Sequence, residues 1–175
     1  MRHVKLAQII IPLRIDQEKF FLLRKNTKWS DWGLVGGHVE PSEEGRWKTT
    51  AIRESDEELA PLKNGKDFSL FAIPEWPVTW GPIESKSADG VPTCYTSKFF
   101  SLKFLKNAEK CLNELPSSDF ALMSERSVRE IVKTSEPTDE ILKIVDSALS
   151  GRLNEIPLAW PMNIYAANIN IRELH

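Results

Sequence analysis

The fold is decided by the stretch Gly36-Gly37-His38-Val39-Glu40-Pro41-Ser42-Glu43 and by its continuation, Arg53-Glu54-Ser55-Asp56-Glu57-Glu58-Leu59. On a helix, Glu54, Glu57 and Glu58 stand at positions i, i+3 and i+4, so their carboxylates project from one side. Repulsion between these carboxylates favours a divalent cation with oxygen ligands. The glycine pair lets the backbone approach a ligand closely. Together the two segments predict one small site in which a glycine turn faces an acidic helix.

This arrangement resembles the Nudix box, whose pattern is Gly, five residues, Glu, seven residues, and then Arg-Glu-aliphatic-any-Glu-Glu-any-Gly. Five residues separate Gly37 from Glu43, as in the pattern. The pairs Arg53-Glu54 and Glu57-Glu58 match as well. The box extends over about residues 37–60 and implies a Nudix (MutT-type) hydrolase.

The chain departs from the family pattern at three places. Nine residues separate Glu43 from Arg53 where the family has seven, so we expect Arg53 to pair with Glu44 rather than with Glu43. Ser55 occupies the aliphatic position, and Ala60 replaces the closing glycine. These departures concern packing and helix termination and leave the acidic residues in place.

The resemblance implies a metal and a set of catalytic groups. Mg²⁺ or Mn²⁺ would be held by Glu54, Glu57 and Glu58, with a contribution from the Gly36 carbonyl. Either Glu57 or Glu54 would act as the general base. Arg53 would fix the loop against the helix, because a guanidinium pairs well with a carboxylate.

Substrate contacts are expected from other segments. Trp76 and Trp80 lie in the Pro/Gly-rich stretch Pro74–Pro92, where an aromatic ring can stack on a nucleobase; packing within the protein explains them equally well. Arg24 would meet a substrate phosphate, although a solvated strand end explains this residue equally well. The Gly37 backbone would approach the same phosphate. Trp29 and Trp32 flank the box on its other side and allow the same two interpretations.

Two further observations bear on the base and on the substrate. Glu114 and Asp119 precede a predicted strand, near where the family often supplies another acid, although both are also typical surface residues. Pro77 follows Pro61 by sixteen residues, a spacing that resembles a marker of ADP-ribose pyrophosphatases. The resemblance therefore favours a nucleotide sugar or ADP-ribose over a nucleoside triphosphate.

Composition limits the remaining possibilities. The 175 residues are enough for one core, so we expect a single domain over residues 1–175. The net charge of -2 gives no indication of a nucleic-acid or membrane partner, and we expect neither. Cys94 and Cys111 form no zinc or disulfide pattern, which favours a cytoplasmic protein. We expect the tail 151–175 to pack on the domain or on a second subunit in a homodimer.

Hydrophobic patterning predicts strands at Leu6–Ile15, Phe20–Leu23, Leu34–Val35, Phe68–Ile73, Tyr95–Leu105 and Phe120–Met123. It predicts helices at Glu43–Leu59, Ser127–Lys133 and Asp139–Leu149, the first capped by Ser42 and the last by Thr138. Asn26–Gly33 and Pro74–Pro92 read as loops, and Gly36-Gly37 as a turn. With the resemblance, this order implies an α/β fold, a Nudix-type α/β/α sandwich with a mixed central sheet.

Three functions remain open. The first is a metal-dependent hydrolase that cleaves a phosphoanhydride bond in a nucleoside diphosphate linked to another group. The second is a non-catalytic Nudix module that binds a nucleotide, although all three box glutamates are present. The third is an acidic-helix interaction module without metal, which would leave the glycine turn and Arg53 without a shared purpose.

Overall fold

The computed structural model describes residues 1–28, 30–134, 137–151 and 153–156. Within them, the strands are β1 (Arg2–Ile10), β2 (Pro12–Ile15), β3 (Glu18–Asn26), β4 (Asp31–Gly33), β5 (Val35–His38), β6 (Phe68–Ala72), β7 (Val78–Glu84), β8 (Pro92–Phe104), β9 (Phe120–Ser124) and β10 (Asn154–Ile156). The helices are α1 (Trp47–Glu58), α2 (Ala108–Asn113), α3 (Glu125–Val132) and α4 (Thr138–Ser150). None of these helices is long and apolar enough to cross a membrane.

The strands form two mixed sheets. The first has the order β5-β1-β8-β6, with β7 also pairing with β8. Its central pair, β1 and β8, is parallel, and its other pairs are antiparallel. The second has the order β10-β2-β3-β4, with β9 pairing with β3. The predicted α/β class and the mixed character of the sheet are therefore confirmed, with two sheets in place of one.

Two hydrophobic clusters lie on opposite sides of the strands. Phe20 and Leu22 belong to the cluster that contains α1, whereas Phe21 and Leu23 belong to the cluster that contains α3 and α4. Successive side chains of a strand point to opposite faces, so the apolar run of β3 supplies both clusters. The result is the three-layer α/β/α arrangement.

Helix α1 carries the acidic segment and is anchored by its apolar face. Ala51, Ser55 and Leu59 are fully buried, and Trp47 packs against the same cluster, as the four-residue spacing predicts. The predicted start of the helix was wrong. Residues Pro41–Glu43 form a separate 3-10 turn, so Ser42 caps nothing and α1 begins at Trp47.

Three predicted loop or turn assignments were also wrong. The segment Asn26–Gly33 contains β4, and Gly36-Gly37 lies within β5. The segment Pro74–Pro92 contains β7 and a short 3-10 turn. In each case pairing with a neighbouring strand, such as Trp80 opposite Tyr95, overrides the local preference of Gly, Pro and Ser for loops.

The other predicted elements are confirmed, with shifted boundaries. The predicted strand Leu6–Ile15 is divided at Ile11 into β1 and β2, and β2 forms the expected hairpin with β3. The cap of α4 is Pro137 rather than Thr138. Strand β10 and helix α2 were not predicted. Trp29 and most of the tail 151–175 lie outside the described residues.

Candidate active site

Arg53 and Glu43 form a two-pronged ion pair at the edge of the acidic helix. Arg53 Nε donates to Glu43 Oε1 at 3.1 Å, and Arg53 Nη2 donates to Glu43 Oε2 at 3.0 Å. Thr50 Oγ1 adds a third hydrogen bond to Glu43 Oε2 at 2.9 Å. The Arg53 hydrogen bonds are the main cause that lowers the pKa of Glu43 to about 2. The turn before the helix is thereby fastened to the helix.

The expected pairing of Arg53 with Glu44 was wrong. Glu44 instead pairs with Lys5 on the surface. The two extra residues of the box are accommodated in the turn between Glu43 and Trp47, where Gly45 has a φ of 76°. A left-handed glycine lets the chain bulge outward at this point. Glu43 therefore keeps its place opposite Arg53.

The carboxylate of Glu54 lies against the backbone of Gly37. A β-carbon at Gly37 would collide with both Glu54 oxygens, so only glycine leaves room for this carboxylate. Arg53 Nη1 donates to Glu54 Oε1 at 2.6 Å. Burial is the largest effect on this group and raises the pKa of Glu54, against the opposing effect of Arg53.

Glu58 is held in a similar way against Gly36. The backbone N–H of Gly36 donates to Glu58 Oε2 at 3.0 Å, and Arg24 Nη1 donates to Glu58 Oε1 at 2.8 Å. Gly36 has a φ of 138°, and a β-carbon there would collide with the Ala7 carbonyl oxygen. The structure thus gives Arg24 a role that the sequence did not suggest, since its guanidinium orients a box glutamate.

The third box glutamate is free of a close hydrogen bond. The side chain of Glu57 is 62% exposed, and Arg53 Nη1 lies 3.9 Å from its Oε1. In the described part of the chain, no three His, Cys, Asp or Glu side chains are arranged to hold an ion. The reason is that Glu54 and Glu58 turn toward arginines while Glu57 points outward.

The donor set nevertheless fits a divalent ion of the Mg²⁺ type. Glu54 and Glu58 are fixed at the two adjacent glycines, and Glu57 follows Glu54 by three residues on the same side of the helix. Carboxylate and carbonyl oxygens are the ligands that Mg²⁺ and Mn²⁺ prefer.

A cleft of about 580 Å³ opens beside these residues. This volume lies within the range of small-molecule sites. Four of the predicted site residues line the cleft: Gly36, Gly37, Arg53 and Glu54. The side chains of Arg24, Trp76, Trp80, Glu114 and Asp119 are not among its lining residues. Glu57 and Glu58 are also not among the lining residues. Only part of the predicted box therefore lines the cleft, and the other predicted contacts lie outside its lining.

The two tryptophans predicted as substrate contacts lie in different environments. Trp80 is 5% exposed and packs within the cluster that contains α3 and α4. Trp76 is 89% exposed in the connection between β6 and β7. Trp32 is buried in the same cluster as Trp80, with Lys25 Nζ 6.0 Å from its ring. For Trp80 and Trp32 the structure supports the packing interpretation.

Several lining residues were missed by the sequence analysis. They are Gln8, Tyr95, Ser85, Lys86 and His38, and desolvation by the surrounding residues lowers the pKa of His38. Gln8 is the polar residue within the apolar run from Leu6 to Ile11, which is a signal that the sequence shows. The 3-10 turn that carries Lys86 has none, because its position depends on the hairpin formed by β7 and β8.

The family model of the NUDIX domain matches residues 4–108, which is more than half of the chain. The chain belongs to the Nudix family. The C. elegans Ap4A hydrolase is similar in structure, with 22% identity, a TM-score of 0.54, and coverage of 86% of this chain and 100% of that one. Shewanella oneidensis NrtR has 17% identity and a TM-score of 0.50, over 84% of this chain and 62% of that one. A search of curated protein sequences gave no match.

At these identities the solved Nudix structures establish the fold. Family membership and the geometry around Glu54, Glu58 and the two glycines support, in general terms, a hydrolase of nucleotide pyrophosphate bonds.

Proposed function

We propose that this protein hydrolyses a phosphoanhydride bond in a nucleoside diphosphate linked to a further group, with Mg²⁺ or Mn²⁺ as cofactor. One observation carries the proposal. Glu54 and Glu58 are each held against one glycine of the Gly36-Gly37 pair and each oriented by an arginine, at the edge of a nucleotide-sized cleft.

The arginines place the ligands in advance. Arg53 joins Glu43 to Glu54, and Arg24 fixes Glu58 from the neighbouring sheet. Such preorganisation matters because small displacements of catalytic groups cost large factors in rate. When bound, a divalent ion neutralises phosphate oxygens and activates water. Glu54, Glu57 and Glu58, with the Gly36 carbonyl, are the groups proposed to hold it.

Glu57 is the preferred candidate for the general base. A base must be able to reach the attacking water and accept its proton. Glu54 is engaged by Arg53 at 2.6 Å, whereas Glu57 is largely exposed and has only a distant contact with the same arginine. Arg53 then acts as a positioning residue for both carboxylates.

The substrate class follows from the cleft and the family. The cleft lining provides few cations for a long phosphate chain. A bound metal would therefore have to neutralise most of the phosphate charge. Nucleotide sugars and ADP-ribose fit this description better than nucleoside triphosphates. The structurally similar C. elegans protein is an Ap4A hydrolase, so Ap4A is a further candidate substrate.

A substrate panel tests this proposal. Nucleotide sugars, ADP-ribose, Ap4A and nucleoside triphosphates are incubated with the protein, with and without Mg²⁺ or Mn²⁺, and the products are separated by chromatography. Glu57→Gln removes the proposed base, and Glu140→Gln removes an exposed carboxylate of α4 as the matched control. We expect metal-dependent cleavage that Glu57→Gln abolishes and Glu140→Gln preserves.

A second candidate is a nucleotide-binding Nudix module without catalysis. The observation that favours it is that Glu54 and Glu58 each pair with an arginine, which offsets part of their negative charge without an ion. Metal-independent nucleotide binding with no turnover of any substrate in the panel would support this alternative.

A further inference from the structure

One face of the first sheet forms the floor of the cleft. Strand β1 is parallel to β8, with Val4 opposite Tyr95 and Leu6 opposite Ser97. Alternate residues of a strand share a face, so Leu6, Gln8 and Tyr95 project from the same side of the sheet. All three line the cleft.

Gln8, which lines the cleft, carries an unused hydrogen-bonding atom. Its side-chain oxygen is enclosed and has no hydrogen-bond partner among the described residues. An enclosed polar atom without a partner costs free energy, and a bound ligand or water is the usual reason for one. Gln8 also lies directly opposite Gly36 in the β1–β5 pair, beside the proposed phosphate site.

Tyr95 provides a rigid aromatic surface on the same face. Its ring stacks beside that of Trp80 on the neighbouring strand, with centroids 6.3 Å apart and planes inclined by 20°. Its hydroxyl donates to Ser85 Oγ at 2.9 Å. Because both the ring and the hydroxyl are held, Tyr95 has little freedom to turn away from the cleft.

The spacing of the strands relates these residues to the phosphate site. Only β1 lies between β5, which carries the two glycines, and β8, which carries Tyr95. Neighbouring strands are about 4.8 Å apart, so the two segments are separated by roughly 10 Å. A nucleotide with its phosphates at Gly36-Gly37 therefore extends its nucleoside over Gln8 and Tyr95.

We propose that this sheet face is the nucleoside subsite, and that it selects an amino-bearing purine. The base packs on the Tyr95 ring, and the Gln8 side-chain oxygen accepts a hydrogen bond from the exocyclic amino group of adenine or guanine. This inference rests on the proposed function, since it assumes that the phosphates lie at the glycine pair.

The test measures binding, so that it does not depend on turnover. Nucleoside 5′-monophosphates are titrated into the full-length protein in the presence of Mg²⁺ by calorimetry. AMP is compared with purine riboside monophosphate, and GMP with IMP. The two members of each pair differ by one amino group. The wild type is expected to bind one or both amino-bearing partners about tenfold more tightly, the value of one neutral hydrogen bond.

Three variants complete the test. Gln8→Leu is expected to abolish the preference, so that the two members of each pair bind with equal affinity. Tyr95→Leu is expected to weaken binding of all the purines, because it removes the stacking surface. His3→Ala changes an exposed residue of the same strand and is expected to have no effect.

The inference would be overturned if the wild type bound the two members of each pair with equal affinity, or if it bound none of the monophosphates. A preference that persists in Gln8→Leu would overturn it as well. The wild-type comparison decides the matter even if Gln8→Leu does not fold. Selective binding without turnover of any diphosphate substrate would leave this subsite standing and count against the hydrolase proposal instead.

Discussion

Arg53 bonds to both carboxylate oxygens of Glu43 across nine intervening residues, through its Nε and Nη2 atoms. The same guanidinium bonds to Glu54 through Nη1 and to the His38 carbonyl oxygen through Nη2. One side chain thus connects strand β5, the 3-10 turn and helix α1. The planar fork of arginine is suited to this set of contacts, and the point charge of lysine is not.

Replacing Arg53 by lysine tests this connection. We expect Arg53→Lys to lower kcat/KM by about 10- to 100-fold, because Glu43 and Glu54 lose their common anchor while the positive charge remains. The matched control is Glu44→Gln, which changes the neighbouring acid that pairs with Lys5. Steady-state kinetics on the best substrate of the panel makes the comparison. A loss of activity in Glu44→Gln as large as that in Arg53→Lys would contradict the assignment.

Gly37→Ala is expected to inactivate the protein without unfolding it. The added methyl group would displace the flexible end of Glu54 rather than any backbone atom, so the cost falls on the site and not on the fold. We expect activity to fall by about 100-fold or more with little change in melting temperature. Gly151→Ala is the control, because the nearest atom to its new methyl group is 3.9 Å away. Full activity of Gly37→Ala would show that the position of Glu54 is unimportant.

The ion pair between the buried Asp67 and the half-exposed Lys106 makes stability depend on pH. Lys106 Nζ lies 2.6 Å from Asp67 Oδ1, and the Lys63 backbone N–H donates to Asp67 Oδ2 at 3.0 Å. The hydrogen bond from Lys106 is the main cause that lowers the pKa of Asp67 below its usual 3.8. A carboxyl group with a lowered pKa stabilises the fold above its unfolded pKa and loses that effect as the pH falls through the folded value.

Asp67→Asn should therefore melt several degrees below the wild type at pH 7, and this difference should shrink as the pH falls below 3.8. Glu130→Gln is the control, since Glu130 forms an exposed pair with Lys133 and such pairs contribute little. Melting temperatures from pH 7 to pH 3 give the comparison. A difference that stays constant over this range would exclude the ion pair as its source.

The two tryptophans that the sequence could not distinguish should differ in their effect on stability. Trp80→Ala removes a large side chain from a packed cluster and is expected to cost about 3–5 kcal/mol in free energy of unfolding. Trp76→Ala removes an exposed side chain and is expected to cost less than about 0.5 kcal/mol. Urea denaturation measures both. Similar losses in the two variants would be inconsistent with the burial of Trp80.

Features that depend on residues close together in the sequence could be predicted from it. The helical spacing of Ala51, Ser55 and Leu59 fixes the buried face of α1, and that face determines where Glu54 and Glu58 point. The glycine pair was correctly associated with these acids, because the box has a fixed spacing from Gly37 to Glu43.

Features that depend on segments distant in the sequence could not be predicted in this way. The partner of Arg53 depends on how the turn around Gly45 absorbs two residues, which spacing alone does not show. Strand β7 exists because it pairs with β8, and its Gly and Pro content hides that pairing. The place of Gln8 and Tyr95 on the cleft floor follows from the register of β1 and β8, which only the folded sheet defines.

The proposed function requires that the α1 carboxylates bind a divalent ion beside the glycine pair. A titration with Mn²⁺, followed by electron paramagnetic resonance of the free ion, tests it without any assumption about substrate. We predict specific Mn²⁺ binding by the wild type that is lost in a Glu54→Gln/Glu57→Gln double variant and retained in Glu140→Gln. Equal binding by the wild type and the double variant, or no binding by the wild type, would contradict the account.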